Sequence, residues 1–168
     1  KSSVINLIPR FYDVSEGEVL VDGLNVKQYK QEALHAKIGY VPQTAVLFSG
    51  TIASNISYGT TEQMEDSIQA VKRAIEIAQG KDFVEKFDGQ YAGHIAQGGT
   101  NVSGGQKQRL SIARAIYRKP EIYIFDDSFS ALDYKTDRAL RQEIKKETEN
   151  ATTLIVAQRI GTIKDADQ

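Results

Sequence analysis

Two short segments carry residue types that can act on a phosphorylated ligand. The first, residues 101–109, places Ser103, Gly104 and Gly105 at the predicted start of a helix. The free N–H groups of a helix start attract phosphate, and glycine lets the main chain approach closely. The second, residues 121–127, is an apolar run that ends in two carboxylates. A carboxylate at the end of a buried strand can hold Mg²⁺. Together the two segments predict a site for a nucleoside triphosphate.

The bulk properties fit one soluble globular domain. The chain has 168 residues, of which 40% are hydrophobic and 26% charged, and this length can bury one good-sized core. The net charge of −1 gives no reason to expect a nucleic-acid surface, and no nucleic-acid partner is predicted. No apolar run approaches the roughly 18–20 residues needed to cross a bilayer. A membrane role would therefore depend on another segment or subunit.

Hydrophobic patterning predicts an α/β core that is interrupted by helices. Residues 122–125 are uninterrupted apolar, as in a strand buried on both faces of a parallel sheet. Strands are also predicted over 37–41 and 152–157, and a charged helix over 136–148 implies a parallel crossover between the last two strands. A helix is predicted over 2–8 and a strand over 17–23. The region over 45–117 is predicted to be helical, with an apolar face formed by Ile68, Val71, Ile75 and Ala78, and it includes a glycine-rich loop over 89–99. A further helix is predicted from Gly104, with Leu110, Ala113 and Ile116 on its inward face.

Several motifs resemble those of the ATP-binding cassette (ABC) proteins. Residues 103–106 resemble the ABC signature motif, residues 122–126 its Walker B strand and residues 130–133 the D-loop that follows. Gln43 stands where the family has its Q-loop, and residues 1–3 match the end of the Walker A motif. The matches occur in family order over nearly the whole chain.

The resemblance implies the fold class and the organisation of the chain. It implies an α/β fold, a P-loop NTPase (RecA-like) parallel-sheet core with an inserted helical subdomain. We expect one nucleotide-binding domain over 1–168, with the core formed by 1–43 and 118–168 and the helical subdomain by 44–117. The chain begins at the lysine of the phosphate loop, so we expect it to be a fragment that lacks the glycine-rich half of that loop and the final strands.

The resemblance also implies ATP and Mg²⁺ as cofactors. Lys1 would contact the β- and γ-phosphates, with Ser3 beside it in the same motif, and the metal would be held by Ser2, Gln43 and Asp126. Taken alone, residues 1–3 are more simply explained as a solvated helix start, and Gln43 as a polar turn residue after a proline. Their order ahead of the other motifs favours the nucleotide site.

In the family, the signature motif serves a nucleotide that is held on the opposite subunit of a head-to-tail dimer. The implied partners are therefore ATP, a second ABC nucleotide-binding domain and a fused transmembrane domain. Asp133 would link the two sites across the interface. Residues 47–56 resemble exporter versions of the domain, which implies ATPase-driven export at the cytoplasmic face of the plasma membrane. The signature residues predicted to contact the partner's nucleotide are Ser103, Gly104, Gly105 and Gln106.

Two predicted catalytic positions depart from the family pattern. Asp127 stands where active members carry a glutamate as general base, and Gln158 where they carry a histidine. Aspartate is one methylene shorter, and glutamine cannot titrate. We therefore expect a degenerate ATP site in a heterodimeric exporter. The simpler interpretation of Asp127 is a strand-end carboxylate that caps a helix.

Other functions remain open at this point. One is a homodimeric exporter in which Asp127 acts as a slow base, and another is an isolated regulatory nucleotide-binding module. A non-transport ABC protein acting on DNA or ribosomes is disfavoured, because the interval from Gln43 to Ser103 is too short for a long coiled coil. Outside these motifs, Tyr40, Tyr58 and Tyr91 are assigned to packing, and the two histidines, His35 and His94, to ordinary surface or loop positions.

Overall fold

A computed structural model describes residues 1–59, 67–158, 161 and 166. Three one-turn 3-10 helices lie at Val26–Gln28, Gln90–Ala92 and Gln97–Gly99. The α-helices and strands are, in chain order, α1 (Ser2–Ile5), β1 (Leu20–Val21), β2 (Leu24–Asn25), α2 (Gln31–Ala36), β3 (Ile38–Val41), β4 (Gly50–Thr51), α3 (Ile52–Ile56), α4 (Ser67–Ile77), α5 (Lys81–Lys86), β5 (His94–Ile95), α6 (Gly104–Tyr117), β6 (Ile122–Asp126), α7 (Tyr134–Glu147) and β7 (Thr152–Val156).

The central sheet is parallel, as the uninterrupted apolar strand predicts. Its order is β3-β6-β7, so β6 lies in the middle. Side chains alternate across a strand, and accordingly Tyr123 and Phe125 pack into the larger core cluster with α3, α4 and α6, whereas Ile124 packs into a smaller cluster with Ile5 and Leu34. Both faces of β6 are therefore covered, and the predicted α/β fold class is confirmed.

The region between β3 and β6 is mostly helical, with one correction to its predicted apolar face. Val71 and Ile75 are buried on α4 and Ala78 directly after it, but Ile68, at the helix start, is 43% exposed. The region also contains a short antiparallel pair, β4 with β5, that the helical periodicity did not predict. On α6, Leu110, Ala113 and Ile116 are buried as predicted, because this helix packs between the sheet and α3 and α4.

The first elements are shorter than predicted. The helix predicted over 2–8 ends at Ile5 and continues as turns to Arg10. The strand predicted over 17–23 is reduced to β1, which pairs with β2 through a turn whose Gly23 has a φ of +76°. Short elements of this kind depend on tertiary contacts rather than on local pattern.

Helix α7 connects the edge of the site to the last strand. Its Asp133 cap accepts a hydrogen bond from the Thr136 N–H at 2.9 Å. Within the helix, the buried Asp137 is paired with Arg141 at 2.9 Å, and Arg141 also donates to the carbonyl oxygen of Gly161 at 2.8 Å.

Among the described residues, no helix combines the length and the apolar character that a membrane span requires.

Candidate nucleotide site

Asp126 lies at the carboxyl end of β6, and hydroxyl groups from two other elements lie next to its carboxylate oxygens. The Ser2 hydroxyl of α1 donates to Asp126 Oδ1 at 2.9 Å. The Tyr40 hydroxyl of β3 lies 3.3 Å from Asp126 Oδ2 and 2.9 Å from Asn6 Oδ1. Burial, and next to it the charge of Asp126, raises the pKa of Tyr40 to about 12. The phenol therefore stays protonated near neutral pH and can donate to this carboxylate.

Lys1 and Ser3 flank the same end of the sheet. Lys1 Nζ donates to the carbonyl oxygen of Ala157 at 3.1 Å, next to Gln158 at the end of β7. Lys1 is exposed, and so is Ser3 on α1. The predicted phosphate-contacting cation thus lies beside the strand end that carries Asp126.

Asp127 accepts hydrogen bonds from two glutamines. Gln158 Nε2 donates to Asp127 Oδ2 at 2.7 Å, and Gln43 Nε2 donates to the same oxygen at 3.2 Å. Both glutamines are exposed while Asp127 is 8% exposed, so their amides cover a buried carboxylate. The Asp127 side chain caps no helix in the described part of the chain; its main-chain carbonyl instead accepts a hydrogen bond from the Ser130 hydroxyl at 3.0 Å. The two departures from the family pattern are therefore in direct contact with each other.

The main chain of Asp127 adopts a left-handed conformation, with a φ of +48°. Aspartate tolerates this region better than most residues. The Asp127 N–H donates to the Val156 carbonyl oxygen at 2.8 Å, which ties the turn to β7.

Two buried polar side chains hold the strand ends, and the motifs gave no signal for either. The Ser128 hydroxyl donates to the Val41 carbonyl oxygen at 2.8 Å and is fully buried. Gln108 Nε2, on α6, donates to the Pro42 carbonyl oxygen at 3.0 Å. Gln108 precedes Ile112 by four positions on the buried face of α6, so a polar residue on an apolar face was the available signal.

The signature residues begin α6 with a reciprocal cap. The Ser103 hydroxyl accepts from the Gln106 N–H at 3.2 Å, and the Gln106 side chain accepts from the Ser103 N–H at 2.9 Å. A Cβ on Gly105 would lie 3.3 Å from the Ala131 carbonyl oxygen, whereas a Cβ on Gly104 would meet open space among the described residues. Packing within this chain therefore explains a glycine at 105 but not at 104.

Arg109, at the end of the signature segment, serves the packing of α6. Its guanidinium donates to the Gln79 carbonyl oxygen at 2.7 Å and lies 4.7 Å from the ring centroid of Phe83. Burial lowers the pKa of Arg109, and the charges of Asp133 and Asp82 oppose this.

The predicted site residues fall into two groups. Hydrogen bonds connect Ser2 to Asp126, and Gln43 and Gln158 to Asp127, with Lys1 beside them. The signature residues make their contacts at the start of α6, and the exposed Asp133 makes its own at the start of α7. Hydrogen bonds from the hydroxyl and the N–H of Thr136 lower the pKa of Asp133.

The residues present fit a magnesium ion. Ser2 offers a hydroxyl oxygen, Asp126 a carboxylate and Gln43 an amide oxygen, and Mg²⁺ prefers such ligands while keeping several waters. Ser2 and Asp126 are already in contact. Among the described residues, no group of three or more histidines, cysteines and carboxylates forms a separate metal site.

An exposed aromatic pair lies on the helical region. Phe48 and Tyr58 stack with ring centroids 4.4 Å apart, and the Arg114 guanidinium lies 5.4 Å and 5.8 Å from these two ring centroids. Tyr58 packs as predicted but is 55% exposed. His94 is exposed on β5, whereas His35 lies on a helix, half-buried, with Nε2 2.8 Å from the Pro9 carbonyl oxygen.

Comparisons with known proteins identify the family. The family model described as ABC transporter matches residues 1–130. An uncharacterized ABC transporter ATP-binding protein of Mycobacterium tuberculosis is 46% identical over all 168 residues, which span 28% of its length. An ATP-dependent lipid A-core flippase of Methylococcus capsulatus is 39% identical over 168 residues, again 28% of its length.

A solved structure, that of a bacterial Atm1-family ABC exporter with ATP bound, superposes with a TM-score of 0.93 at 36% sequence identity. The superposition covers 99% of this chain and 29% of the exporter chain. The parallel sheet, the order of the motifs and these matches lead to one conclusion: the chain belongs to the ABC transporter family and has its P-loop NTPase fold.

Proposed function

We propose that this chain is the Mg-ATP-binding domain of an ABC exporter. The observation that carries the proposal is the hydrogen bond between Ser2 and Asp126 at the carboxyl end of β6. It joins the end of the phosphate-loop segment to the strand-end carboxylate. In open parallel sheets, nucleotides bind at the carboxyl ends of the strands.

The roles of the residues follow from their chemistry. Lys1 supplies a positive charge for the β- and γ-phosphates, and Ser3 lies next in the same motif. Ser2, Gln43 and Asp126 hold the Mg²⁺ through oxygen ligands or through its waters. When bound, Mg²⁺ would supply positive charge that offsets the negative charge of the phosphates.

A second ABC nucleotide-binding domain completes each site in this proposal. Ser103, Gly104 and Gly105 present main-chain N–H groups at the start of α6 to a nucleotide held by that partner, and Gln106 holds the cap. The open space at Gly104 supports a ligand approach from outside this chain. Asp133 lies at the dimer interface and links the two sites.

The site of this chain is proposed to be degenerate, and its partner a different subunit. A general base must reach the attacking water, and two amide groups already occupy one oxygen of the Asp127 carboxylate, Oδ2. Gln158 replaces a histidine, which can donate a hydrogen bond and titrate, with an amide that can donate but cannot titrate. The chain then retains ATP at its own site, while its signature completes an active site on the partner.

Export requires a connection to transmembrane helices, which we propose are fused to this domain. The surface formed by Phe48, Tyr58 and Arg114 supports this, because exposed aromatic groups backed by an arginine are typical of protein interfaces. ATP-driven closure would rotate the helical region and move those helices, with the domain at the cytoplasmic face of the plasma membrane.

A direct test uses the full-length protein, purified alone and together with its partner. We expect slow hydrolysis by the protein alone, firm retention of labelled ATP, and brisk hydrolysis by the pair. A Ser103→Ala variant should reduce turnover by the pair. Brisk turnover by the protein alone would refute the degenerate site, and loss of labelled ATP would refute nucleotide binding.

A homodimeric exporter is the second candidate. The observation in its favour is that Asp127 is a carboxylate directly after Asp126, where a base is needed. The Asp127→Glu variant distinguishes the two candidates. A large gain in turnover favours the homodimeric exporter, in which Asp127 is a slow base. Little change with the partner present favours the degenerate site, which is mainly structural.

A further inference from the structure

The Tyr40 hydroxyl has a position that neither the motifs nor the proposed function uses. It lies between Asn6 Oδ1 on α1, at 2.9 Å, and Asp126 Oδ2 at the end of β6, at 3.3 Å. Ser2 occupies the other oxygen of Asp126. Each carboxylate oxygen therefore faces one hydroxyl group, and the two hydroxyls come from different elements.

Strand register explains how Tyr40 reaches this place. In the parallel pairing of β3 with β6, Tyr40 lies opposite Ile124, two residues before Asp126. Side chains two residues apart point to the same face of a sheet, so the long phenol can extend along that face to the carboxylate. The Phe11 ring packs edge-on against the Tyr40 ring, with 5.4 Å between the ring centroids, and this contact limits the movement of Tyr40.

The orientation of Asp126 matters because this side chain is only 5% exposed. A buried carboxylate can hold a metal-bound water only if its oxygens point in the required direction, and neighbouring hydrogen bonds set that direction. Ser2 alone fixes one oxygen. The Tyr40 hydroxyl has one proton for two acceptors, Asn6 Oδ1 at 2.9 Å and Asp126 Oδ2 at 3.3 Å. As a second donor that Asp126 shares with Asn6, it restricts rotation about the carboxylate axis.

We propose that Tyr40 is a positioning residue for magnesium: its hydroxyl orients Asp126 for the Mg²⁺ of bound Mg-ATP. This inference rests on the proposed nucleotide site. It assigns Tyr40 no contact with the nucleotide itself. The distinguishing consequence is that Tyr40 affects the magnesium-dependent part of ATP binding and leaves the metal-free part unchanged.

The test compares Tyr40→Phe with the unmodified full-length protein, assembled with its partner. Binding is followed by photolabelling with a radiolabelled azido-ATP, because the labelled polypeptides separate on a gel and this chain's own site is read alone. Labelling is titrated with Mg²⁺, and azido-ATP is titrated in EDTA. We expect the half-saturating Mg²⁺ concentration to rise about 5-fold, the scale of one ordinary intramolecular hydrogen bond. Affinity in EDTA should not change.

Tyr29→Phe is the matched control. Its hydroxyl donates to the Val21 carbonyl oxygen at 3.0 Å, is also partly buried, and lies on a different part of the fold. This variant should keep both titrations unchanged.

The outcomes separate the two proposals. An unchanged Mg²⁺ titration in Tyr40→Phe, or an equal loss of affinity with and without Mg²⁺, overturns the role of Tyr40. No labelling of the unmodified chain under either condition overturns the nucleotide site itself.

Discussion

Asp127 and Gln158 act on each other, so neither substitution can be interpreted alone. A carboxylate oxygen that already accepts two amide hydrogens, at 2.7 Å and 3.2 Å, has little capacity left for a proton from water. A glutamate at 127 would be longer, but Gln158 would still occupy its oxygen. With a histidine at 158 alone, the Asp127 side chain would still be one methylene shorter than a glutamate.

We therefore predict strongly non-additive recovery of hydrolysis at this site. Asp127→Glu and Gln158→His should each raise turnover by less than about 3-fold, and the double variant by about 100-fold, the lower end of general-base catalysis. The measurement is phosphate release by a full-length complex whose partner lacks its own base.

Asp127→Asn in the same complex is the control, since it keeps an acceptor oxygen but cannot accept a proton. Full recovery by Asp127→Glu alone would show that Gln158 does not restrain the carboxylate.

At the scale of elements, the sequence predicts long and strongly patterned segments and fails on short ones. β6 is predictable because both of its faces are buried, and α6 because its apolar face is regular. The lengths of α1 and β1 are not predictable from the sequence, because tertiary contacts determine where these short elements end.

The members of the candidate site are predictable from motifs, but their mutual contacts are not. Tyr40 reaches Asp126 only through the register of β3 against β6, which no spacing in the sequence reveals. Gln108 and Pro42 likewise meet across 66 positions. Contacts of this kind depend on how elements pack, and a local signal such as the polar Gln108 on an apolar face does not identify the partner.

Gln108 joins α6, which carries the signature, to the turn that carries Gln43. Replacing it with leucine leaves the partly buried Pro42 carbonyl without its donor, which costs about 1 kcal/mol. We expect Gln108→Leu to lower the thermal unfolding midpoint of the full-length protein by a few degrees. It should also weaken Mg-ATP labelling of this chain, because Gln43 loses its anchor.

Gln142→Leu is the matched control, since Gln142 is exposed on α7. It should leave the unfolding midpoint and the labelling unchanged. Equal effects of the two variants would contradict a link between α6 and the Gln43 turn.

At the scale of the whole molecule, our proposal assigns the two groups of predicted residues to different nucleotides. The chain spans about 28% of the length of these two relatives. The partners that we propose would bind to exposed surfaces of this chain. The start of α6 is one such surface, where Gly104 faces open space. Tyr134, beside Asp133, is 71% exposed and marks another. A domain that binds one nucleotide and covers another must fail in two separable ways.

Gly104→Ala tests this separation most directly. Alanine favours a helix by up to about 1 kcal/mol over glycine, so folding should be preserved or slightly improved. The added Cβ would occupy the space where the main chain must approach the partner's phosphate. We predict that turnover of the full-length pair falls at least about 10-fold, since a displacement near 1 Å has effects of this order or larger. Azido-ATP labelling of this polypeptide should persist.

Gly105→Ala is the comparison variant. Its Cβ would lie 3.3 Å from the Ala131 carbonyl oxygen, so this variant should lower thermal stability in addition to turnover. Undiminished turnover in Gly104→Ala would mean that the start of α6 covers no nucleotide.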